Sequence, residues 1–319
     1  MLAIWKKVAD ELDSHYKVFL AIVVDHQKGS PGTARAQLLY TEAGEILGTI
    51  GGGIMEARLL EEAHNQLRSG KIKPTLRTLY HHPRNEDASG LICGGAQSLV
   101  TMVLDNDHRP IVHSLLNRLE HDQPGSLILS PSGLNIEEED LNEPSTRFEK
   151  DGDVWAARLG LLNRRRVLVV GCGHCGAALA RQMDMLGFQV TVVEPREELY
   201  TLRDVPSRVV KQFRAFSEAG QTIDHARLTF AVVMTPSYLD DVDALASLQP
   251  NPFPFIGVMG SPVKLKKIKG ELLSRGISPS DESRICAPVG LPIESDTPEE
   301  IAVSIAAQIL QKIHSLSFL

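Results

Sequence analysis

The sequence predicts a two-domain α/β protein, with a Rossmann-like parallel sheet in the C-terminal half and a smaller α/β domain before it. Three observations support this fold class. A strand, a glycine turn, a helix and a second strand follow one another in mid-chain, strand and helix patterns then alternate, and 319 residues suffice for two hydrophobic cores. The expected domains are residues 1–162 and 163–319, with the boundary near 160–166.

The mid-chain segment predicts a βαβ unit through its glycine spacing. The apolar run Val167–Val170 predicts a buried strand, and Gln189–Val193 predicts the next one. Between them the G-x-G-x-x-G pattern places Gly171, Gly173 and Gly176 before a helical apolar pattern. The first glycine permits a tight turn, the second lets a pyrophosphate approach the backbone, and the third lets helix and strand lie close together.

Two charged residues after the second strand bear on the nucleotide. Glu194 ends this strand, where a carboxylate could accept hydrogen bonds from a ribose diol. Arg196 could instead accommodate a phosphate on that ribose. The sequence leaves open whether this half binds NAD, NADP, FAD or nothing.

The glycine turn also contains a C-x-x-C pair, Cys172 and Cys175. A thiol at a helix N-terminus has a lowered pKa, so a dithiol redox protein is an alternative interpretation. The glycine spacing and Glu194 favour a dinucleotide fingerprint over this alternative. His174 is expected to face the bound ligand rather than to act as a catalytic base.

The N-terminal half predicts its own strands and helices. In chain order we expect a helix at 4–16, a strand at 18–24, a hairpin at 38–41 and 46–50, a helix at 54–68, a strand at 99–104, a helix at 110–120, a strand at 126–130 and a hairpin at 148–157 that turns at 151–152. The acidic patch Glu137–Asp140 is interpreted as a solvated loop.

Two glycine-rich stretches of this half are candidate binding elements. Gly51, Gly52 and Gly53 connect a strand to a helix, either as a tight turn that needs positive φ or as a second anion site at the helix N-terminus. Cys93 lies before Gly94 and Gly95. It is either a small buried hydrophobic residue or a reactive or metal-ligating thiol.

The second half alternates strands and helices as a doubly wound sheet does. The predicted strands are 167–170, 189–193, 208–210, 228–234 and 255–259, and Thr297 with Pro298 and Glu300 predicts the start of the last helix. Ligands bind such sheets at the carboxyl ends of the strands. This rule adds Gly260, Ser261 and Lys264 to the candidate site, with Lys264 either supplying charge to an anion or lying free on the surface.

Composition excludes several classes of function. The net charge of −7 gives no general electrostatic reason to bind nucleic acid or an anionic membrane. No apolar run approaches the length of a membrane span, and the N-terminus lacks a signal-type core, so we expect a cytoplasmic protein. The four cysteines are too scattered for a disulfide framework.

Taken together, the motifs resemble those of the xanthine dehydrogenase accessory factor (XdhC/CoxI) family. The stretches that carry the resemblance are GSP (29–31), GTIGGGIMEA (48–57), GLICGG (90–95), VLVVGCGHCGAALA with VTVVEPR, GVMGSPVK (257–264), APVGLPI (287–293) and TPEEIAVSIAAQI (297–309). Their order covers both halves of the chain.

The resemblance implies a cofactor chaperone rather than a catalyst. Such a protein binds molybdenum cofactor, supports its sulfuration with a cysteine desulfurase, and delivers it to a xanthine dehydrogenase-type molybdoenzyme. Cys93 would hold the cofactor as a possible molybdenum ligand, and Gly51–Gly53 would cradle a pterin phosphate. A homodimer is expected, and NAD(P) is a possible second ligand. The alternative is an NAD(P)-dependent oxidoreductase that uses the Rossmann half.

Overall fold

The computed structural model describes residues 1–69, 73–80, 95–221, 223–277 and 284–316. The chain forms two compact units, the first spanning Met1–Leu162 and the second beginning at Asn163. We call them unit 1 and unit 2 and describe each by itself.

Unit 1 contains two antiparallel sheets. Its elements are α1 Leu2–Asp13, β1 Val18–His26, β2 Gln37–Thr41, β3 Ile46–Gly48, α2 Gly53–Ser69, β4 Thr75–Tyr80, β5 Ala96–Leu104, α3 Arg109–Glu120, β6 Ser126–Ser130, β7 Gly133–Glu137, β8 Thr146–Asp151 and β9 Val154–Gly160. One sheet has the order β3-β2-β1-β5-β4 and the other β7-β6-β9-β8.

The strands at the centre of the five-stranded sheet are buried along almost their whole length because both faces are covered. Seven consecutive residues of β1 and all nine of β5 are buried. One face packs with α1, α3 and the smaller sheet, around Trp5 and Leu20. The opposite face packs against α2 through Met55 and Leu59. The core therefore fixes the loops that end β1 and begin β5 and α2.

Unit 2 is a doubly wound parallel sheet. Its elements are β10 Arg166–Val170, α4 His174–Met185, β11 Gln189–Val193, β12 Val210–Gln212, β13 Thr229–Val233, α5 Tyr238–Leu248, β14 Phe255–Val258, α6 Pro262–Ser274, β15 Ile285–Cys286 and α7 Pro298–Ile313. The strand order is β12-β11-β10-β13-β14-β15, with every neighbouring pair parallel.

This order makes β10 and β13 the two strands where the chain reverses its direction across the sheet. Helices α4 and α7 cover one face, around Val169 and Ile305. Helices α5 and α6 cover the other, around Leu168 and Phe253. The carboxyl ends of β10 and β13 therefore meet at the topological switch point, where open α/β sheets bind ligands.

The predicted fold class is confirmed, and most predicted elements exist. The strand at 126–130 and the capping box of Thr297 are present, and the predicted hairpin is formed by β8 and β9, with its turn at Gly152 and Asp153, one residue later than predicted. The helix predicted to reach Tyr16 ends at Asp13, because His15 adopts a left-handed φ of 65°. The strand predicted at 208–210 lies at Val210–Gln212, where it pairs with Thr191–Val193.

Three short strands, β4, β7 and β15, were not predicted. The sequence of β4, TLRTLY, shows no clear apolar alternation, and none of its six residues is fully buried. Glu137, placed in a solvated loop by the sequence, is the last residue of β7 and pairs across the sheet with Ser126. Strand β15 has only two residues, too few for any periodic signal.

Candidate functional site

The glycine turn after β10 has the geometry that the spacing predicted. Gly171 has a φ of 100°, and a Cβ there would lie 2.6 Å from the carbonyl oxygen of Met234. A Cβ on Gly176 would lie 3.0 Å from the carbonyl carbon of Gly171, so this residue allows the close contact of helix and turn. A Cβ on Gly173 would meet no atom within 4 Å. The open space over Gly173, at the start of α4, fits a phosphate group.

Glu194 lies at the carboxyl end of β11 and is almost fully buried, with 1% of its surface exposed. Its Oε2 accepts a hydrogen bond from the backbone N–H of Cys172 at 2.9 Å, and its Oε1 accepts one from the N–H of Arg196 at 3.2 Å. The Arg196 guanidinium donates two further hydrogen bonds, from Nε to Oε1 at 2.7 Å and from Nη2 to Oε2 at 3.0 Å. The carboxylate thus ties the glycine turn to β11.

The ionisation of Glu194 follows from these contacts. Burial alone would raise the pKa of this carboxyl group, but the hydrogen bonds from Arg196 and from the Cys172 amide outweigh it and lower the pKa below its ordinary value. Glu194 is therefore an ionised carboxylate at neutral pH. The sequence placed it correctly beside the turn, but it did not reveal that Arg196 covers it.

The two thiols of the turn do not have the properties of a dithiol redox centre. The Cys172 side chain is buried, and burial followed by the nearby charge of Glu194 raises its pKa to about 11. Burial and then Glu299 raise the pKa of Cys175 as well. Since the thiolate is the reactive form, both thiols are poor nucleophiles at neutral pH, against the lowered pKa that a helix N-terminus alone would predict.

A histidine–tyrosine pair stands beside the open second glycine. His174 is the first residue of α4, and its Nε2 lies 2.6 Å from the hydroxyl oxygen of Tyr200. The two rings meet edge to face, with centroids 5.6 Å apart. Tyr200 is 58% exposed and comes from a 3₁₀ turn between β11 and β12. Nothing in the local sequence marked Tyr200 as a neighbour of the glycine turn.

A buried ion pair supports the loops after β13 and β14. Asp241 is fully buried, and its Oδ1 accepts hydrogen bonds from the backbone N–H and the Oγ1 of Thr235, at 3.1 and 2.6 Å. Its Oδ2 lies 2.5 Å from Nζ of Lys264. Lys264 is therefore neither a plain surface lysine nor an uncompensated cation. Ser261 caps α6 by accepting from the Lys264 N–H at 3.3 Å, directly after Gly260.

In unit 1, three loops that carry sequence motifs converge on Gln97, which is 1% exposed. Its Oε1 accepts hydrogen bonds from Oγ of Ser30 and from the N–H of Gly32, both at 2.9 Å. Its Nε2 donates to the carbonyl oxygen of Ile50 at 3.1 Å. Gly95, with a φ of 92°, lies against the Ser30 loop, where a Cβ would be 3.3 Å from the Ser30 nitrogen.

Backbone amides at the triple-glycine turn donate hydrogen bonds to the side-chain carboxylate of Glu56. Gly51, Gly52 and Gly53 have φ values of 124°, 75° and 74°. Glu56, in the first turn of α2, accepts at Oε1 from Oγ1 of Thr49 at 2.5 Å, from the N–H of Ile50 at 2.7 Å and from the N–H of Gly52 at 3.0 Å. The predicted need for positive φ is confirmed. In the predicted anion site, Gly51–Gly53, the amide of Gly52 is already hydrogen-bonded to Glu56, and so is the amide of the preceding Ile50.

The pKa of Glu56 reflects this arrangement. Partial burial would raise it, but the hydrogen bonds from Thr49, Ile50 and Gly52 lower it below the ordinary glutamate value. Cys93 and Gly94 lie outside the described residues, so their role as cofactor ligands stays a prediction. Within the described ranges no group of three or more His, Cys, Asp or Glu side chains forms a metal site.

The strand order, the three glycine roles and the acidic residue after β11 define unit 2 as a Rossmann-type domain. The chain belongs to the XdhC and CoxI family. The family model of that description matches residues 12–78, and the model of the XdhC Rossmann domain matches residues 167–309.

Two related sequences and one solved structure match nearly the whole of this chain. An uncharacterized protein of Escherichia coli K12, YqeB, is 28% identical over 92% of this chain, but the chain spans only 43% of YqeB. A probable xanthine dehydrogenase subunit from Bacillus subtilis 168 is 22% identical over 94% of both chains. The crystal structure of a xanthine dehydrogenase from Bacillus halodurans superposes with a TM-score of 0.75 at 20% identity, covering 98% of this chain and 96% of the other.

The described helices include none that is both long and apolar enough to cross a membrane.

Proposed function

We propose that the protein binds molybdenum cofactor, supports its sulfuration by a cysteine desulfurase, and delivers it to a xanthine dehydrogenase-type molybdoenzyme. The observation that carries the proposal is the convergence of three family motifs of unit 1 on Gln97. One side chain joins the Ser30–Gly32 loop to the Ile50–Gly52 turn and itself follows Gly95 by two residues. Because the buried Gln97 side chain is hydrogen-bonded to both loops, it fixes their positions relative to each other, as a binding site for a cofactor requires.

The cargo chemistry is supported by the sequence next to this tie. Cys93 precedes Gly95 by two residues, and thiolates are the protein ligands that suit soft metal and sulfur chemistry. Gly94 and Gly95, directly after the thiol, leave room for a bulky ligand. The thiol would hold the cofactor during sulfuration, and we expect it to be the residue on which retention of the cofactor depends.

In this proposal the triple-glycine turn binds the pterin phosphate of the cofactor. Glu56 stands at the amides of Ile50 and Gly52, so a pterin phosphate reaches them only if the carboxylate withdraws. Space is available beside them, because a Cβ on Gly52 would meet no atom within 4 Å. Cofactor binding would then be accompanied by a shift of α2's first turn.

The test is uptake of molybdenum cofactor under anaerobic conditions. Purified protein is mixed with cofactor released from a molybdoenzyme and desalted, and bound molybdenum and pterin are measured by metal analysis and by fluorescence of the oxidised pterin. We expect stoichiometric uptake by the wild-type chain and strongly reduced uptake by Cys93→Ala. Cys286→Ala is the matched control, since Cys286 is a partly buried thiol of unit 2.

Gln97→Leu tests the loop tie. It leaves the N–H of Gly32 and the carbonyl of Ile50 without their buried partner, so we expect reduced uptake together with a lowered melting temperature. Absence of uptake by the folded wild-type protein contradicts the proposal, and so does Cys93→Ala uptake equal to that of the wild type. Delivery is measured separately, as activation of a cofactor-free xanthine dehydrogenase with and without a cysteine desulfurase. Gel filtration tests the expected homodimer.

A further inference from the structure

We propose that Arg196 occupies the position of a ribose diol on Glu194, so that the glycine turn of unit 2 takes a nucleotide with an unmodified cis-diol and excludes one with a phosphate there. The proposal concerns residues of unit 2 alone, whereas the proposed function rests on unit 1. The relevant residues are Glu194 at the end of β11, Arg196 two positions later, and the glycine turn that begins at Gly171.

The first argument is the number of acceptor positions on Glu194. An ionised carboxylate offers about four lone-pair sites, and all four are used here. Two bonds come from the backbone N–H groups of Cys172 and Arg196, one on each oxygen. The other two come from Nε and Nη2 of the Arg196 side chain, again one on each oxygen. A ligand can replace the side chain without disturbing the backbone bonds.

The second argument is the shape of what would replace it. The guanidinium edge presents two parallel donors to the two carboxylate oxygens. A ribose cis-diol also presents two neighbouring hydroxyl donors, and acidic residues at this position of Rossmann folds accept from ribose hydroxyls. Exchange of the arginine fork for the diol therefore leaves each oxygen with the same number of hydrogen bonds.

The third argument is charge. A phosphate ester has acceptors and negative charge but no second hydroxyl to donate, so it cannot replace the arginine fork on a carboxylate. Asp240 also lies near enough to act electrostatically on Arg196, which places a second negative charge near this guanidinium. The guanidinium is already paired at 2.7 Å with Glu194, so it brings no uncompensated positive charge for a phosphate.

The fourth argument is that the exchange is reversible in solvent. The Arg196 side chain is 49% exposed, whereas the Glu194 side chain is 1% exposed. A half-exposed arginine can return to water when a ribose diol takes over its two hydrogen bonds to the buried carboxylate. The diphosphate of the same ligand would lie over Gly173, where the backbone is open and α4 begins.

The experiment is fluorescence titration of the full-length protein with NADH and with NADPH, which differ only in the 2′-phosphate. We expect the wild-type chain to bind NADH at least about tenfold more tightly. Arg196→Ala should bind NADH roughly two- to fivefold more tightly than the wild type, because no ion pair competes with the diol. Arg203→Ala, an exposed arginine of the neighbouring 3₁₀ turn, is the matched control and should leave both affinities unchanged.

Three outcomes overturn the proposal. They are tighter binding of NADPH than of NADH, weaker NADH binding by Arg196→Ala, and failure of the folded wild-type protein to bind NADH. Glu194→Gln supplies an independent measurement, since it should lose the preference for NADH even where it still binds. Thermal shift with each nucleotide, recorded on the same variants, verifies that every one of them is folded. Cofactor uptake in unit 1 is measured separately, so the two proposals fail by different observations.

Discussion

Gly176→Ala should destabilise the protein, although alanine is ordinarily the better helix residue. Gly176 lies in the first turn of α4, where a Cβ would be 3.0 Å from the carbonyl carbon of Gly171 and closer still to its oxygen. Both partners are backbone atoms, held by the hydrogen bond from Gly171 N to Val193 O at 2.9 Å. A side-chain rotation cannot relieve the overlap, so the helix must move away from the strand.

The magnitude follows from two opposing terms. Overpacking of this kind costs about 3 kcal/mol, and replacing an interior helical glycine with alanine returns about 1 kcal/mol. The net loss is about 2 kcal/mol, or roughly 4–8 °C in the melting temperature of a domain of this size. The assay is urea denaturation followed by circular dichroism, with the melting temperature recorded in parallel.

Gly270→Ala is the matched control for this substitution. Gly270 also lies inside a helix, α6, but a Cβ there would meet no atom within 4 Å. This variant should gain up to about 1 kcal/mol. The two variants therefore differ only in the space around the added methyl group. Equal or greater stability of Gly176→Ala relative to the wild type would refute the reasoning.

Two further predictions concern charged groups. Glu56→Gln should lower the free energy of unfolding by about 1 kcal/mol at neutral pH, because one oxygen of Glu56 accepts three hydrogen bonds. The pKa of Glu56 is lowered in the folded protein, so its contribution is present above the ordinary glutamate pKa and is lost as the pH falls through the lowered value. Denaturation curves at neutral and acid pH give the free energy of unfolding of this variant, of the wild type and of the control Glu61→Gln. A loss of stability in Glu56→Gln that is as large in acid as at neutral pH would contradict the prediction. Lys264→Met should cost about 3 kcal/mol because it leaves the fully buried Asp241 without its cation, whereas the exposed Lys266→Met should change the melting temperature little; equal melting temperatures for the two would show that the pair is not stabilising.

The glycine turn was predictable because each of its constraints is local. The spacing of Gly171, Gly173 and Gly176 reports a positive φ, an open approach and a close contact, all within six residues. The capping box at Thr297 is local for the same reason, since Glu300 bonds back across one turn. Local patterns of this kind can be recognised in a single sequence.

The partners of the site residues were less predictable because they depend on the tertiary structure. Asp241 and Lys264 lie on different helices, and the sequence around Lys264 gives no sign of a buried carboxylate beneath it. Gln97 reads as an ordinary polar residue before the strand predicted at 99–104, although it is buried and hydrogen-bonded to two other loops. Even the short-range pair of Glu194 and Arg196 was visible only as two charges, and the four hydrogen bonds that Glu194 accepts became apparent only in the structure.

The strand order of unit 2 divides its sheet into two halves with one seam. Strands β10 to β12 form one half and β13 to β15 the other, and the halves meet along the pairing of Val170 with Val233 and its neighbours. Just beyond the strands, Met234 N donates to Val170 O at 2.9 Å, and Gly171 packs against Met234. A nucleotide resting on the glycine turn would sit at the open end of this seam. Its binding would stabilise the folded protein, by about 1.4 kcal/mol more for each tenfold rise in its concentration above the dissociation constant.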